Sequence, residues 1–421
     1  RFNTETYMQN TFPVSIQHLH NLRTFLLNNF RGRWCPTKHL SVIGRLKKLQ
    51  ILRLASRAIK ELPQEMEELT GLRLLDLSLC LGLKKIPRDV LSSLTALEEL
   101  YICGDFVVEK DLLSEITSLP HLTALTARVN WAGVLPTLGF RKPLQRYKIY
   151  SGGFWHQYSR NVSIDVLDCS RMAFLQQLFP LVEEFYIGRL RDTFENLLPE
   201  CFQDLINLVI DDCDVDCLID TTTATCLPMR LFSNLQNLKL TKATKMTRLL
   251  RGPPPPDAFT NLRKVHMDDC SGRFENIVPF VIPIGPKLES LLVLRCERLK
   301  HIFEFDLQDN LRSETSLLPC PPEMHLQKLP ELRGIWKPPH QWDTLHLTNN
   351  DNHDEFHNLI LEAMLRSFNS LVTVAMYECE KVEEAFRVID YNDQIYKEQF
   401  SNLREICFSK LCQLRCIWKG P

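Results

Sequence analysis

Apolar residues in this chain recur in a short fixed frame. In Leu72-Arg73-Leu74-Leu75-Asp76-Leu77-Ser78-Leu79-Cys80, Leu75 and Leu77 flank a polar residue, three places after Leu72 and three before Cys80. Alternation of that kind predicts a short strand with Leu75 and Leu77 on one face and Asp76 on the other. The frame returns, with aliphatic exchanges, over Leu205–Cys213, Leu262–Cys270, Leu288–Cys296 and Leu371–Cys379. Versions without the cysteine begin at Leu22, Leu49, Leu97, Leu122, Leu235 and Leu403, and degraded ones align at Leu144 and Val182. The segments between are apolar but carry no helical period: Ile59-x-x-Leu62-Pro63, Leu83-x-x-Ile86-Pro87, Leu299-x-x-Ile302-Phe303. Proline there lacks an amide donor and favours an extended or irregular limb over a helix.

Successive frames mostly start about 22 to 30 residues apart, the spacing of leucine-rich repeats. One such turn cannot bury its apolar side alone, so turns stack and share one continuous core. Roughly thirteen strands at about 4.8 Å spacing would line an inner arc of about 60 Å. The expected fold is an α/β repeat solenoid: a leucine-rich-repeat horseshoe with a parallel concave β-sheet and a convex side of short helices, 3₁₀ turns and loops. The frame also gives five cysteines an address. Cys80, Cys213, Cys270, Cys296 and Cys379 each follow a strand by three residues, where a small side chain turns the corner. They are expected as buried free thiols whose S–H meets a neighbouring turn's carbonyl.

The organisation is uneven. Residues 1–18 read as an incomplete opening turn and 19–143 as regular repeats. Residues 144–180 are irregular and degraded, with Ser151-Gly152-Gly153 and a strand-like Val162–Leu167. Residues 181–305 resume the Cys-bearing turns, interrupted by Gly252 and Pro253–Pro256. Residues 306–366 read as a degenerate repeat with polar insertions at 306–325 and 337–358, and 367–421 as C-terminal repeats. Arg1 rather than Met opens the chain, which points to a processed product or a fragment.

Composition narrows the function. Fifty Lys+Arg against 51 Asp+Glu leave a formal charge of −1, which excludes a general nucleic-acid or anionic-lipid binder. The longest apolar run, Ile277–Ile284, is broken by Pro279 and Pro283, so no membrane insertion is expected. Fifteen cysteines and a single sequon, Asn161-Val162-Ser163, favour a reducing, cytoplasmic setting.

The succession Ile59-Lys60-Glu61-Leu62-Pro63, Leu72–Cys80, Ile86-Pro87-Arg88-Asp89-Val90-Leu91-Ser92-Ser93-Leu94 and Leu97-Glu98-Glu99-Leu100-Tyr101 resembles the leucine-rich region of plant intracellular disease-resistance proteins. The nearest class is the coiled-coil, nucleotide-binding, leucine-rich-repeat type. Tyr147-Lys148-Ile149-Tyr150 and the Ile-Trp limbs at 335–336 and 417–418 fit the same group. The resemblance implies a region that senses a pathogen effector or a guarded host protein, and that holds the receptor's own nucleotide-binding domain inactive until then. No Gly-x-x-x-x-Gly-Lys-[Ser/Thr] phosphate loop occurs here. No cofactor is therefore expected in this chain, and the ADP/ATP of that family would belong to an upstream domain. The alternative is another intracellular repeat scaffold, such as a ubiquitin-ligase substrate adaptor.

Enzymatic and metal motifs fail on inspection. His353 and His357 sit at i, i+4 without the metalloprotease glutamate placement. Asp212–Asp216 begins like a calcium loop but has Cys217 and Thr223 where Gly and Glu belong. Cys213/Cys217 and Cys412/Cys416 lack a partner pair at zinc spacing, and Trp336 and Trp418 read as limb packing. What remains is the polar side of the strands. Candidate concave binding residues are Arg53, Asp76, Glu99, Tyr101, Arg128, Arg146, Lys148, Tyr150, Glu184, Tyr186, Asp211, Lys239, Lys264, His266, Asp268, Tyr377 and Glu405. One charge reversal stands out along them. Asp211, Asp212, Asp214, Asp216 and Asp220 precede Lys239, Lys242, Lys245, Arg248 and Arg251. These either neutralise each other or form a bipolar strip that orients a partner.

Overall fold

The computed structural model describes residues 13–28, 39–130, 139–151, 160–164, 178–191, 202, 204–220, 222, 232–251, 258–270, 287–304, 321–337, 370–387 and 402–419. The chain divides into two compact units, Arg1–Asp165 with Cys169–Phe185, and Val166–Asp168 with Tyr186–Pro421. Each is a leucine-rich-repeat stack in which a turn contributes one strand to a parallel ladder.

In the first unit the strands are β1 (Thr24–Asn28), β2 (Ile51–Ala55), β3 (Leu74–Asp76), β4 (Glu99–Tyr101), β5 (Val107–Val108), β6 (Ala124–Val129), β7 (Arg146–Tyr150) and β8 (Arg160–Ile164). They form an open parallel ladder, β1-β2-β3-β4-β6-β7-β8, with β5 paired to β6. Register carries the repeat into space. Leu52, Leu75, Leu100 and Leu125 stand one behind another and are fully buried. Each such leucine is worth about 1.5–3 kcal/mol on burial. The first leucine of each frame closes a tight turn: the amides of Leu49, Leu72 and Leu97 donate to the carbonyls of Leu46, Leu69 and Leu94, each at 2.9 Å. Return limbs are 3₁₀ turns at Leu40–Arg45 and Gln64–Glu68, then the short helices α1 (Val90–Ser93) and α2 (Lys110–Ser118). Turns pack closely enough that a Cβ on Gly82 would collide with the Arg57 carbonyl.

A further strand, β9 (Glu184–Ile187), has residues in both units. In the second unit the ladder is β10 (Asn207–Ile210), β12 (Asn237–Thr241), β14 (Lys264–Asp268), β15 (Ser290–Leu294), β17 (Glu323–Gln327), β19 (Thr373–Tyr377) and β21 (Glu405–Ser409). Between them run β11 (Cys217–Asp220), β13 (Arg248–Arg251), β16 (His301–Glu304), β18 (Gly334–Lys337), β20 (Glu384–Arg387) and β22 (Cys416–Lys419), pairing in parallel as β11-β13, β16-β18 and β20-β22. Behind the frame a buried aromatic row fills the limb side: Phe202, Phe232 and Phe259 lie with ring centroids 5.9 and 5.5 Å apart.

The irregular stretch 144–180 holds two ladder strands, β7 at the degraded frame of Leu144 and β8 overlapping the strand-like segment from Val162, paired through Asn161↔Lys148 and Val162↔Ile149. The stack departs from sequence expectation in two places. The polar insertion placed at 306–325 ends in β17, which pairs with both β15 and β19. Its frame is disguised, with buried Pro321 at the leading leucine's place and buried Leu329 at the cysteine's. The limbs of the second unit are paired strands rather than 3₁₀ turns, because extended Ile-Phe and Ile-Trp segments on neighbouring turns lie at strand spacing and satisfy each other's backbone groups. The histidines at 353 and 357 and the prolines at 253–256 lie outside the described residues.

Candidate protein-binding surface

Strand alternation points the candidate residues away from the core, but the ladder uses many of them itself. On the first unit Arg53 and Asp76 are in register, and Arg53 Nε donates to Asp76 Oδ2 at 2.5 Å. Asp76 Oδ1 accepts the Ser78 amide at 2.9 Å, so this carboxylate is 6 % exposed and presents no free face. Glu99, Tyr101 and Arg146 form one cluster. The Tyr101 hydroxyl donates to Glu99 Oε2 at 2.6 Å, and Arg146 Nη2 donates to Glu99 Oε1 at 2.9 Å, reaching across β6 where the intervening residue is the small Ala124. Burial and the Glu99 carboxylate push the Tyr101 hydroxyl up to about 12. Arg128, Lys148 and Tyr150 are half-buried. The Tyr150 hydroxyl sits beside the Cys103 thiol, and burial pushes it up to about 12.

Glu184 and Tyr186 are corrected by the structure. Glu184 is 8 % exposed and accepts Asn161 Nδ2 at 2.9 Å; Tyr186 is 5 % exposed, its hydroxyl 3.2 Å from Asp211 Oδ2. Alternation assigned their face, but neighbouring side chains cover them. The same packing buries the sequon: Asn161 is 2 % and Ser163 0 % exposed.

On the second unit the expected charge reversal is largely neutralised turn against turn. Asp211 accepts the Thr241 hydroxyl at 2.7 Å and lies 3.8 Å from Lys242. Asp212 pairs with Arg189 at 3.3 Å and Asp214 with Lys245 at 2.6 Å. Arg251 bridges Asp216 and Asp220. Asp268 is gripped by two Arg295 nitrogens at 2.8 and 2.5 Å. Lys239 and Lys264 are exposed and, among the described residues, form no ion pair. His266 stands in register with Lys239, and its Nε2 is buried without a hydrogen-bond partner. Burial, then the Lys239 charge, lowers its pKa. Tyr377 hydrogen-bonds Cys407, and Glu405 is exposed near the end of the stack. Three surface residues escaped sequence reasoning. Leu292 and Leu294 are half-buried leucines at polar places of the frame, and His325 lies on the disguised strand β17.

The corner cysteines are free and buried. Cys80 Sγ reaches the Leu54 carbonyl of the preceding turn at 3.0 Å, Cys270 reaches Leu240 at 3.7 Å and Cys379 reaches Leu326 at 3.9 Å. Burial pushes Cys80 and Cys379 up to about 11 and Cys213 to about 12, far from the range of a reactive thiolate. Cys213 and Cys217 are likewise not joined by a disulfide.

In each unit a parallel ladder of repeat strands, a buried leucine core and an open face of polar and aromatic side chains define a leucine-rich-repeat protein-interaction scaffold. Within it, residues 234–349 match the family model described as plant disease resistance protein RPS2-like, leucine-rich repeats. This segment is a leucine-rich-repeat region of the plant resistance-protein type. No curated protein matches the chain. Among solved structures, Drosophila Toll in its complex with Spatzle is 14% identical, covering 97% of this chain and 53% of that one, with a TM-score of 0.48. An internalin (inlF) of Listeria monocytogenes is 14% identical over 87% of this chain and 82% of that one, at 0.42. The ectodomain of the Arabidopsis thaliana receptor kinase GASSHO1/SCHENGEN3 is 12% identical over 97% and 63%, at 0.34. Among the described residues no helix is long and apolar enough to cross a membrane.

Proposed function

We propose that this chain is the sensor and autoinhibitory region of an intracellular plant immune receptor. It recognises a pathogen effector or an effector-modified host protein through its strand faces, and in the resting state it restrains the receptor's own nucleotide-binding domain. The observation that carries this reading is the match of residues 234–349 to plant resistance-type repeats. Buried corner thiols support a reducing, cytoplasmic compartment, as does a sequon closed off within the ladder. The chemistry is recognition rather than catalysis, and ADP or ATP is a matter for an upstream domain.

Tyr101 and Arg128 belong to the residue types that dominate interface hot spots. The test is cell death in leaf tissue expressing the full-length receptor with Tyr101→Ala and Arg128→Glu, with and without its cognate effector. An inhibitory contact gives effector-independent death, and a recognition contact gives loss of the effector response. Unchanged behaviour in both settings, at equal protein level, would overturn the assignment of this face.

A further inference from the structure

We infer that the strand face of the second unit receives an acidic segment of a protein partner at Lys239 and Lys264, in an extended stretch with two carboxylates two residues apart. This deepens the recognition reading above and rests on it.

The argument begins with which charges are already spent. On the faces of β10, β12, β14 and β15 the two acids, Asp211 and Asp268, are held by Thr241, Lys242 and Arg295. The two lysines on the same faces, Lys239 and Lys264, are exposed and without an ion pair among the described residues. The local surface is therefore positive, although the chain as a whole carries a charge of −1. Geometry sets the shape of the complement. Lys239 is in register with His266 on the adjacent strand, and Lys264 precedes His266 by two residues. The two lysine positions are thus diagonal neighbours about 7–8 Å apart. Carboxylates at i and i+2 of an extended chain are about 7 Å apart, so one such segment engages both ammonium groups.

The floor between the lysines is suited to the same occupant. His266 is half-buried beside Lys239 with its Nε2 closed off from solvent, so its ring contributes a flat surface to the floor rather than a hydrogen-bonding edge. Half-buried Val209 is in register with Lys239, and half-buried Leu292 with His266, giving apolar contact on either side. A basic or neutral partner would gain nothing from Lys239 and Lys264 and would lose their hydration.

The probe is a library of random 12-residue peptides displayed on phage, selected against the full chain as wild type, Lys239→Glu/Lys264→Glu, and a control, Lys60→Glu/Lys84→Glu, on limbs of the first unit. Wild type and control are expected to enrich peptides with Asp or Glu at i and i+2, with about a tenfold or greater drop on the first double variant. Circular dichroism and Tm of all three proteins should coincide, and Lys239→Gln/Lys264→Gln should give an intermediate loss. Enriched peptides without acidic bias, or acidic ones indifferent to the double variant, would overturn the inference. If such peptides are instead lost on Tyr101→Ala or Tyr377→Ala, the broader recognition reading survives; if no peptide depends on either face, both fall.

Discussion

Leu77 gives the sharpest test of how the stack holds together. Its side chain is fully buried, its amide donates to the Tyr101 carbonyl of the next turn at 2.8 Å, and its carbonyl accepts the Cys80 amide at 2.9 Å. Cys80 in turn reaches back to Leu54, so one corner links three turns. Truncation to Ala removes buried methyl groups and leaves a cavity, at about 2–5 kcal/mol. Leu77→Asp adds the desolvation of a carboxyl group with no partner, for a total of roughly 4–8 kcal/mol. Because each turn contacts only its neighbours, the loss should concentrate in residues 49–102 rather than spread through the chain. Hydrogen exchange followed by mass spectrometry reads this directly. A loss of about 4 kcal/mol corresponds to roughly a thousandfold faster exchange of the amides there, while the second-unit strands 237–268 keep their protection. Wild-type protection over 49–102 in the variant would show that Leu77 does not face inward. Equal loss in both units would refute the nearest-neighbour argument.

Two further outcomes follow from the electrostatics. Alkylation at pH 8 should leave Cys80, Cys213 and Cys379 unmodified in native protein and label all three after unfolding, because burial raises each thiol to about 11 or 12; a native disulfide at any of them would contradict the corner geometry. Asp220 has its pKa lowered, first by the Thr222 hydroxyl and also by Arg251. Its contribution is therefore full above the unfolded carboxyl value of about 3.9 and fades as pH falls through the lower folded value. Melting curves of wild type and Asp220→Asn from pH 6 downward should converge in acid, and a constant difference would sink the assignment.

How much of this was legible beforehand depended on what the residues themselves encode. The Leu-x-x-Leu-x-Leu frame fixes a strand and its inward face, so the cores around Leu75, Leu100, Leu238 and Leu291 could be read directly. Strand β17 could not, because Pro321 and Leu329 replace the two punctuating residues of the frame. Exposure was less readable still. Alternation says which way Glu184 and Tyr186 point, but their burial depends on Asn161 and Asp211, some 23 and 25 residues away in sequence. The charge reversal shows the same limit. Composition alone cannot distinguish an aspartate awaiting a partner from one already bonded, and only the register of β10 on β12 resolves it.

That register also explains the charges along the ladder's rim. Lys242, Asp269, Arg295, Lys328, Glu378 and Lys410 each follow a strand of the second unit, and each has positive φ between 51° and 57°. A left-handed backbone costs a non-glycine residue roughly 1–2 kcal/mol, so glycine would be the easier choice. The offset lies in the next turn. The amides of Lys242, Asp269, Arg295, Lys328 and Glu378 donate to the carbonyls of Asp268, Leu294, Gln327, Tyr377 and Ser409 at 2.9–3.0 Å, extending the ladder by one bond past each strand. With the corner held by the backbone, the side chain is released to carry charge. Several rim residues use it to tie turns together, Arg295 to Asp268 and Lys410 to Glu378. Lys242, Arg295, Glu378 and Lys410 thus spend their charges on the stack, whereas Lys239 and Lys264, within the strands, form no ion pair among the described residues.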